Sequence, residues 1–266
     1  MANTTFNPSD KAANCALTVG NLVATCSSGV NGWCRAVDKQ IAGKFYWEVT
    51  ATTIAAGTTG FGISAFNSDM SSSFASNTGT CGVDRGGTVY VDSVNQGTAL
   101  LGTIASGTVV CFAFDADSRL IWIRSGAAGN WNGSAGANPA TGAGGILTKL
   151  GRGIPAYPAW RGAASGEVAT ANFGDSGFVG AVPSGYTSGF TAGASVPTNA
   201  IASQALAEHW LTTNPAAQIT QVVAEHWASV ASGNLQAVVT FVALEHWTSV
   251  AVVVPAAGGP MVTMIH

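Results

Sequence analysis

Before residue 190 the chain is a succession of short apolar runs, which Gly, Asn, Asp and Ser interrupt about every ten residues. Residues 45–50 (FYWEVT) and 61–66 (FGISAF) are two such runs. Residues 109–114 and 120–124 flank the segment 115–119 (DADSR), which suits a hairpin loop. No stretch in this part keeps a helical period of apolar residues for three turns. The pattern therefore predicts an antiparallel β-sandwich or barrel.

Composition narrows the class of protein. Only 9% of the residues are charged, against about 25% in ordinary soluble domains, and the apolar share of 47% excludes intrinsic disorder. The net charge of −3 argues against a nucleic-acid partner, which needs a basic surface. We expect no signal peptide in the polar first residues. We also expect no membrane span, because Pro255 and Pro260 interrupt the apolar residues 248–265.

The distribution of charge divides the chain. All Lys and Arg residues lie at or before Arg161, and all four histidines lie after residue 200. Between them, residues 188–199 are uncharged and contain Gly, Ser, Thr and Pro, which is the composition of a linker. We predict a β-sandwich over residues 1–190, a linker over 191–199 and a repeat arm for assembly over 200–266.

The cysteines indicate buried thiols rather than a metal site. They are odd in number and form no C-x-x-C pair, so zinc ligation is weakly supported. The five are Cys15, Cys26, Cys34, Cys81 and Cys111. We predict that they act as small hydrophobic residues, with a Cys15–Cys26 or Cys26–Cys34 disulfide as the alternative.

Five motifs follow one another over residues 43–186. They are residues 43–49 (GKFYWEV), 60–64 (GFGIS), 107–115 (GTVVCFAFD), 120–123 (LIWI) and 171–174 (ANFG), the last continued by Phe178, Pro183, Gly185 and Tyr186. In this order the motifs resemble those of the SPRY domain family. The resemblance implies a bent, antiparallel β-sandwich whose loops bind peptides or other ligands without catalysis.

An insertion distinguishes this chain from the SPRY domains of eukaryotic signalling proteins. Residues 125–146 follow the fourth motif and contain NWNGS at 130–134 and NPATGAGG at 138–145. This segment resembles the version of the domain that occurs in tailed-bacteriophage and prophage proteins. The resemblance implies a place in a phage particle.

The predicted arm contains an internal repeat. The triplet Glu-His-Trp occurs three times, as Glu208-His209-Trp210, Glu225-His226-Trp227 and Glu245-His246-Trp247. The β-branched runs 219–223 and 237–242 favour strands, although residues 205–210 would suit a helix. Such short units cannot bury a face alone, so they must stack on each other or on another chain. The arm is similar to terminal repeats of phage structural proteins, which implies assembly.

The repeat triplets are predicted to form an interface rather than a metal centre. In a strand, adjacent Glu and His point to opposite faces and cannot chelate as a pair. We expect the three Trp side chains to pack and the Glu and His side chains to form hydrogen bonds there. Before His209 the chain has no histidine, which excludes a Ser-His-Asp or Cys-His arrangement in the sandwich. We predict no catalytic residues, no metal and no cofactor.

Aromatic residues beside predicted loops are the candidates for ligand binding. Trp131, Tyr157, Trp160 and Arg161 combine aromatic rings with a guanidinium, a composition that is favoured at recognition surfaces. The alternative for Trp131 and Trp160 is packing within the protein.

Together these features predict an all-β, non-enzymatic structural protein of a tailed-phage virion, assembled in the bacterial host cytoplasm. The sandwich would be displayed on the surface, and the arm would hold it to other virion proteins or to copies of itself in a trimer or another cyclic homo-oligomer. The alternative is a receptor- or glycan-binding module of a phage fibre or a bacterial surface, bound to a host-surface ligand and only multimerised by the arm.

Overall fold

A computed structural model describes residues 3–29, 31–66, 68, 71–191, 239–241 and 250–252. The chain divides into two units, Met1–Ala202 and Ser203–His266. None of the helices in the described part is long and apolar enough to cross a membrane.

The first unit consists of strands joined by turns and three short 3₁₀ helices (Phe74–Ser76, Trp131–Gly133 and Pro139–Thr141). In chain order its strands are β1 (Phe6–Lys11), β2 (Cys15–Thr18), β3 (Val23–Cys26), β4 (Gly32–Ala36), β5 (Lys44–Thr53), β6 (Gly60–Ser64), β7 (Thr80–Asp84), β8 (Val89–Val91), β9 (Val94–Gly97), β10 (Val109–Asp115), β11 (Leu120–Ser125), β12 (Ile146–Leu147), β13 (Tyr157–Gly162), β14 (Val168–Asn172) and β15 (Thr187–Ser188).

These strands form two sheets. Sheet A has the order β1-β4-β13-β6-β7-β8-β9, and sheet B has the order β12-β11-β10-β5-β14-β3-β2. The neighbours in both orders pair antiparallel, and β15 adds a short parallel pairing to β5. The predicted all-β antiparallel fold is therefore confirmed.

The main core lies between the two sheets. Sheet B contributes Trp47, whose ring stacks on Phe112 with centroids 5.0 Å apart. Sheet A contributes Phe61, Ile63 and other inward residues of the same buried cluster. Side chains alternate between the two faces of a strand, so the residues between these face outward.

The outer face of sheet B is also buried. Tyr46, Cys111, Ala113 and Trp122 alternate with core residues, and none of them is exposed to solvent. Two segments, which we call the covering loops (residues 126–145 and 178–186), place their own apolar side chains on this face: Trp131, Ala137, Phe178, Val182 and Tyr186. Sheet B is thus apolar on both sides.

The outer face of sheet A is covered only in part. Trp33 packs on Phe74 with ring centroids 4.7 Å apart. A Cβ at Gly82 would lie 2.6 Å from the Phe74 ring, so glycine is required for this close approach. Every residue of β4, β6 and β13 is buried, whereas Val37 and Phe66, beyond the ends of β4 and β6, are exposed.

The cysteines are all buried and free, as the first interpretation predicted. The two alternative disulfides, Cys15–Cys26 and Cys26–Cys34, are not formed.

In the second unit the structure describes only two strands, β16 (Val239–Phe241) and β17 (Val250–Val252), which pair antiparallel. The triplets Glu208-His209-Trp210, Glu225-His226-Trp227 and Glu245-His246-Trp247 lie outside the described residues. Their assignment to an assembly interface stays a prediction, as do the three predicted segments of the chain.

Candidate interaction surface

An exposed apolar surface lies at one end of sheet A. Because β4 and β6 both pair antiparallel with β13, the ends of β4 and β6 meet the beginning of β13 at the same end of the sheet. Val37 follows β4, Phe66 lies two residues beyond β6, and Tyr157 begins β13. We call these three residues the Phe66 surface.

Arg35 fixes the segment that carries Phe66. Its guanidinium makes a bidentate ion pair with Asp10, with Nε–Oδ2 and Nη2–Oδ1 distances of 2.9 and 2.8 Å. Its Nη1 donates to the carbonyl oxygens of Ala65 (2.5 Å) and Phe66 (2.8 Å) and to Ser68 Oγ (3.1 Å). Arg35 itself is buried, so these bonds are strong and shielded from solvent.

Phe66 is held in place but remains open to solvent. The residue is 66% exposed, and Val37 is 48% exposed. The Arg35 guanidinium lies 5.6 Å from the Phe66 ring centroid, and the ring of Tyr157 lies 6.4 Å away. An aromatic ring that is ordered before binding loses little conformational entropy when a partner covers it. Such rings are typical anchors of protein interfaces.

The predicted ligand-binding residues do not form one site. Tyr157, Trp160 and Arg161 lie on the central strand β13 and are buried, so their predicted position in or beside loops is wrong. Trp160 points inward and is 1% exposed, within the main core. Of this group only Tyr157 is part of the Phe66 surface, where it is the buried member.

Arg161 organises loops at the other end of β13. Its Nε donates to Asn31 Oδ1 at 2.9 Å, its Nη2 donates to the same oxygen, and its Nη1 donates to the carbonyl of Thr58 at 2.5 Å. Burial lowers the pKa of this guanidinium from its ordinary value. These contacts use the donors of Arg161 within the protein.

Trp131 lies on the opposite side of the sandwich, in the covering loops. It is half-buried, with the Arg124 guanidinium 4.3 Å from its ring centroid and the Tyr46 ring centroid 6.4 Å away in a T-shaped arrangement. The next residue, Asn132, donates to the carbonyls of Ile121 and Gly144 and accepts from the Ile123 amide. Contacts within the protein therefore explain why the Trp131 side chain is half-buried.

A small cavity of about 190 Å³ opens beside Trp131. Its lining includes Leu100 and Leu101, Ser125 at the end of β11, and Asn130 in the first covering loop.

The buried carboxylate of Glu48 holds the second covering loop. Its Oε1 accepts from the Gly180 amide at 2.7 Å and from the Tyr46 hydroxyl at 2.6 Å, and its Oε2 accepts from the Val179 amide at 3.0 Å. Cys111 donates to Oε1 at 3.8 Å. Burial raises the pKa values of Tyr46 and Cys111, so both keep their protons and act as donors.

Glu167 plays the same part where the chain crosses between the sheets. It accepts from the amides of Ala55 and Ala56 and the hydroxyl of Thr59 on one crossing, at 2.7, 2.7 and 2.5 Å. It also accepts from two amides on the other crossing, those of Ala163 and Ala164. Burial alone would raise the pKa of Glu167, but these hydrogen bonds outweigh it and lower the pKa.

Within the described residues no group of three or more His, Cys, Asp or Glu side chains is placed to hold a metal ion. The carboxylates of Glu48 and Glu167 instead hold loops, through their hydrogen bonds to backbone amides. The predictions that the chain has no catalytic residues and needs no cofactor stay predictions.

Sequence reasoning missed Phe66 and Arg35. Phe66 ends a run of alternating residues and was therefore predicted to belong to a strand. In the structure, β6 ends two residues earlier. A signal was present in the segment that follows, where Asn67, Ser68 and Asp69 begin a turn-forming stretch. An apolar residue at the end of a strand and next to a polar turn is a candidate for exposure.

No protein-family model and no curated protein matches this chain. Among solved structures, the chain is similar to the SPRY domain of human HERC1, at 18% identity and a TM-score of 0.48, covering 62% of this chain and 96% of that one. It is also similar to the PSpry domain of TRIM65 (14% identity, TM-score 0.45, 64% and 92% coverage). A third match is stonustoxin (12%, 0.43), of which it spans 27%. The fold assignment rests on the strand pairings themselves.

Proposed function

We propose that this chain is a non-enzymatic binding module of a tailed-phage virion. Its sandwich is displayed on the particle and binds a partner through the Phe66 surface, while its repeat arm attaches it to the particle or to copies of itself. The observation that carries the binding role is the exposed Phe66 ring, whose backbone carbonyl is bound by the Arg35 guanidinium 5.6 Å from the ring centroid. The phage assignment is supported by the sequence resemblance of the insertion and of the repeats.

Fixation of Phe66 is what separates this surface from scattered exposed apolar residues. Single exposed apolar side chains are common and need no explanation. Here a buried guanidinium makes two hydrogen bonds to the backbone on either side of one such side chain. The buried charge is costly unless it is paired, and Asp10 pairs it. The arrangement supports an anchor residue that is ordered before its partner arrives.

Purified particles from a strain that carries the gene test the virion role. We expect the chain in those particles by mass spectrometry, and we expect antibodies against the sandwich to label intact particles in electron micrographs. Particles that lack the chain would refute the virion role.

Adsorption of such particles to host cells tests the Phe66 surface. We expect Phe66→Asp to lower the adsorption rate at least tenfold, since a charge replaces an apolar anchor. Val94→Asp is the matched control, because Val94 is similarly exposed but lies on the edge strand β9. Equal adsorption by both variants would reject the binding role of the Phe66 surface and would leave the virion role unchanged.

Light scattering tests the role of the arm. The contacts of the sandwich run to Thr191, which bridges to Asn3 and accepts from Gln40 Nε2. We therefore compare the full chain with a chain that ends at Thr191, and expect an oligomer and a monomer, respectively. Oligomers in both samples would place the interface in the sandwich.

The alternative of receptor or glycan binding has one observation in its favour, the cavity beside Trp131. If that alternative is right, Trp131→Ala particles lose adsorption, whereas Phe66→Asp particles keep it.

A further inference from the structure

The dipeptide Asn-Gly occurs twice in this chain, as Asn31-Gly32 and Asn132-Gly133. In this pair the backbone nitrogen of glycine can attack the side-chain carbonyl of asparagine, because glycine has no side chain that would hinder the approach. The attack expels ammonia and leads to a carboxylate. The contacts of each asparagine therefore decide whether the folded chain favours the amide or the acid.

The contacts of Asn132 favour the amide. Its Nδ2 donates to the carbonyls of Ile121 and Gly144 at 3.1 and 2.9 Å, and its Oδ1 accepts from the Ile123 amide at 2.9 Å. The residue is buried. A carboxylate at this position would place a buried negative charge against two carbonyl oxygens, which is costly. We therefore expect Asn132 to remain an amide.

The contacts of Asn31 favour the acid. Its Oδ1 accepts from Nε of Arg161 at 2.9 Å and from Nη2 of the same guanidinium. Among the described residues, Arg161 alone hydrogen-bonds to this side chain. Asn31 is half-buried and follows the exposed residues 27–29, so water can reach it. A carboxylate at this position would face a positive charge and solvent.

Arg161 has no carboxylate bonded to it among the described residues. The three ion pairs found there join other residues, and the guanidinium donates to two neutral acceptors, the Asn31 side chain and the Thr58 carbonyl. Glu167 acts on Arg161 through its charge, but its oxygens accept from backbone amides and Thr59. Burial of a charge is costly, and a paired opposite charge offsets that cost. Conversion of Asn31 to Asp would supply such a partner.

We propose that Asn31 is a self-deamidation site, which the folded chain converts slowly to Asp and so completes an ion pair with Arg161. The Gly32 nitrogen attacks Cγ of Asn31, a C–N bond forms, and the Gly32 amide proton passes to solvent. The Cγ–Nδ2 bond then breaks, and ammonia leaves after its nitrogen takes a proton from water. Water attacks Cγ of the resulting cyclic imide, the bond to the Gly32 nitrogen breaks, and that nitrogen recovers a proton. In sum, the amide and water give a carboxylate and ammonium.

Arg161 also determines which acid forms. Its two hydrogen bonds polarise the Cγ–Oδ1 bond and stabilise the negative charge that develops on Oδ1 when Cγ is attacked. Opening of the imide at Cγ gives aspartate, whereas opening at the backbone carbonyl gives isoaspartate, which predominates in unstructured peptides. Isoaspartate would also lengthen the backbone before Gly32, where a Cβ alone would lie 2.8 Å from the Cys26 Sγ. We therefore expect aspartate.

The test is incubation of the full chain at pH 8 and 37 °C, under native conditions and in guanidinium chloride. Peptide mass spectrometry locates each deamidation, and an isoaspartate methyltransferase labels isoaspartate only. In the native chain we expect Asn31 to convert at least tenfold faster than Asn132, with aspartate as the main product. In guanidinium chloride both sites should convert at similar rates and give mainly isoaspartate, because the contacts of the folded chain are lost.

Two variants test the ion pair directly. Asn31→Asp carries the carboxylate from the start, and we expect its melting temperature to exceed that of the freshly prepared wild type by about 2–4 °C. Arg161→Lys keeps the positive charge but loses the paired donors of the guanidinium. Its native product should shift toward isoaspartate, and circular dichroism checks that this variant is folded.

Three results would overturn the proposal. The first is an Asn31 side chain that stays an amide in the native chain. The second is equal conversion of Asn31 and Asn132 in the native chain, since the contacts of the two residues would then make no difference. The third is isoaspartate as the main native product, or a lower melting temperature of Asn31→Asp, because Arg161 would then not bind the new carboxylate.

Discussion

The outer sides of the two sheets differ in which aromatic residues are exposed to solvent. Sheet B carries Trp122 and Tyr46 on its outer face, and the covering loops remove both from solvent. Sheet A carries Phe66 and Val37 beyond the ends of its strands, and both stay exposed. An antiparallel sheet commonly has one solvated face, but the central strands of sheet A are buried as well, and its exposed aromatic residue lies beyond the end of a strand.

The difference lies in what the buried polar groups of the two sheets hold in place. The cover of sheet B is held by buried polar groups, with Glu48 binding the amides of Val179 and Gly180 and Arg124 donating to the Ala181 carbonyl. The polar group of sheet A, Arg35, holds the backbone of an exposed aromatic residue instead. On sheet B, buried charged side chains hold a loop over the outer face. On sheet A, a buried charged side chain holds the backbone of an exposed aromatic residue.

The largest expected effect is on sheet B. Trp122→Ala removes a fully buried indole, which also donates to the Ala143 carbonyl at 2.8 Å, and should lower the free energy of unfolding by about 3–5 kcal/mol. Urea unfolding followed by circular dichroism measures this loss. A loss below about 1 kcal/mol would mean that the covering loops do not seal this face.

The crossings between the sheets give the next effect, and it depends on pH. The pKa of Glu167 is lower in the folded chain than its ordinary value of 4.5, so its stabilisation is present above pH 4.5 and disappears as the pH falls through the folded pKa. Glu167→Gln should cost about 3 kcal/mol at pH 7. The difference from the wild type should shrink on acidification. Urea unfolding at pH 7 and pH 3 measures it, and a constant difference would contradict the assignment.

Gly177 and Gly180, which both lie between β14 and β15, test how tightly the second covering loop packs on sheet B. A Cβ at Gly180 would lie 2.5 Å from Arg124 Nη2 and 2.6 Å from the Tyr46 hydroxyl, whereas a Cβ at Gly177 meets nothing within 4 Å. Gly180→Ala should therefore cost about 1–3 kcal/mol, and Gly177→Ala should be near neutral.

The same pair has a second readout in the thiol of Cys111, which would lie 3.1 Å from a Cβ at Gly180. In Gly180→Ala we expect Cys111 to react faster with a maleimide under native conditions. Equal rates of maleimide reaction in both variants would show that the second covering loop accommodates the added methyl group without exposing Cys111.

The smallest effect on stability is expected at the Phe66 surface. Phe66→Ala should change the free energy of unfolding by less than about 0.5 kcal/mol, because most of the ring is already in water. Thermal unfolding measures the change. A loss as large as that of Trp122→Ala would mean that Phe66 serves the fold rather than a partner, and the contrast between the faces would fail.

Local sequence was sufficient for several strands and turns. The run 109–114, the loop and the run 120–124 fold as the predicted hairpin, with β10 paired to β11. The Asp115 carboxylate accepts from the Ser118 amide at 3.0 Å, which is the short-range bonding that favours Asp in turns. The burial of all five cysteines was also predictable from their type.

The candidate site was less predictable. Tyr157, Trp160 and Arg161 surround Pro158, a residue that lacks an amide donor and argues against a central strand. Yet β13 lies between β4 and β6, where Pro158 pairs with Ile63. Tertiary pairing outweighed the local signal there and carried Trp160 into the core.

The sequence by itself determined several strands and turns, such as the hairpin of β10 and β11, because those depend on residues a few positions apart. Which aromatic residues meet solvent was decided only by the tertiary structure. Tyr46 and Phe66 both stand in strand-like runs, but the covering loop 178–186, more than a hundred residues further along the chain, reaches back over Tyr46, where the Gly180 amide donates to Glu48. The exposure of a side chain depends on such distant segments, so a local sequence pattern does not predict it.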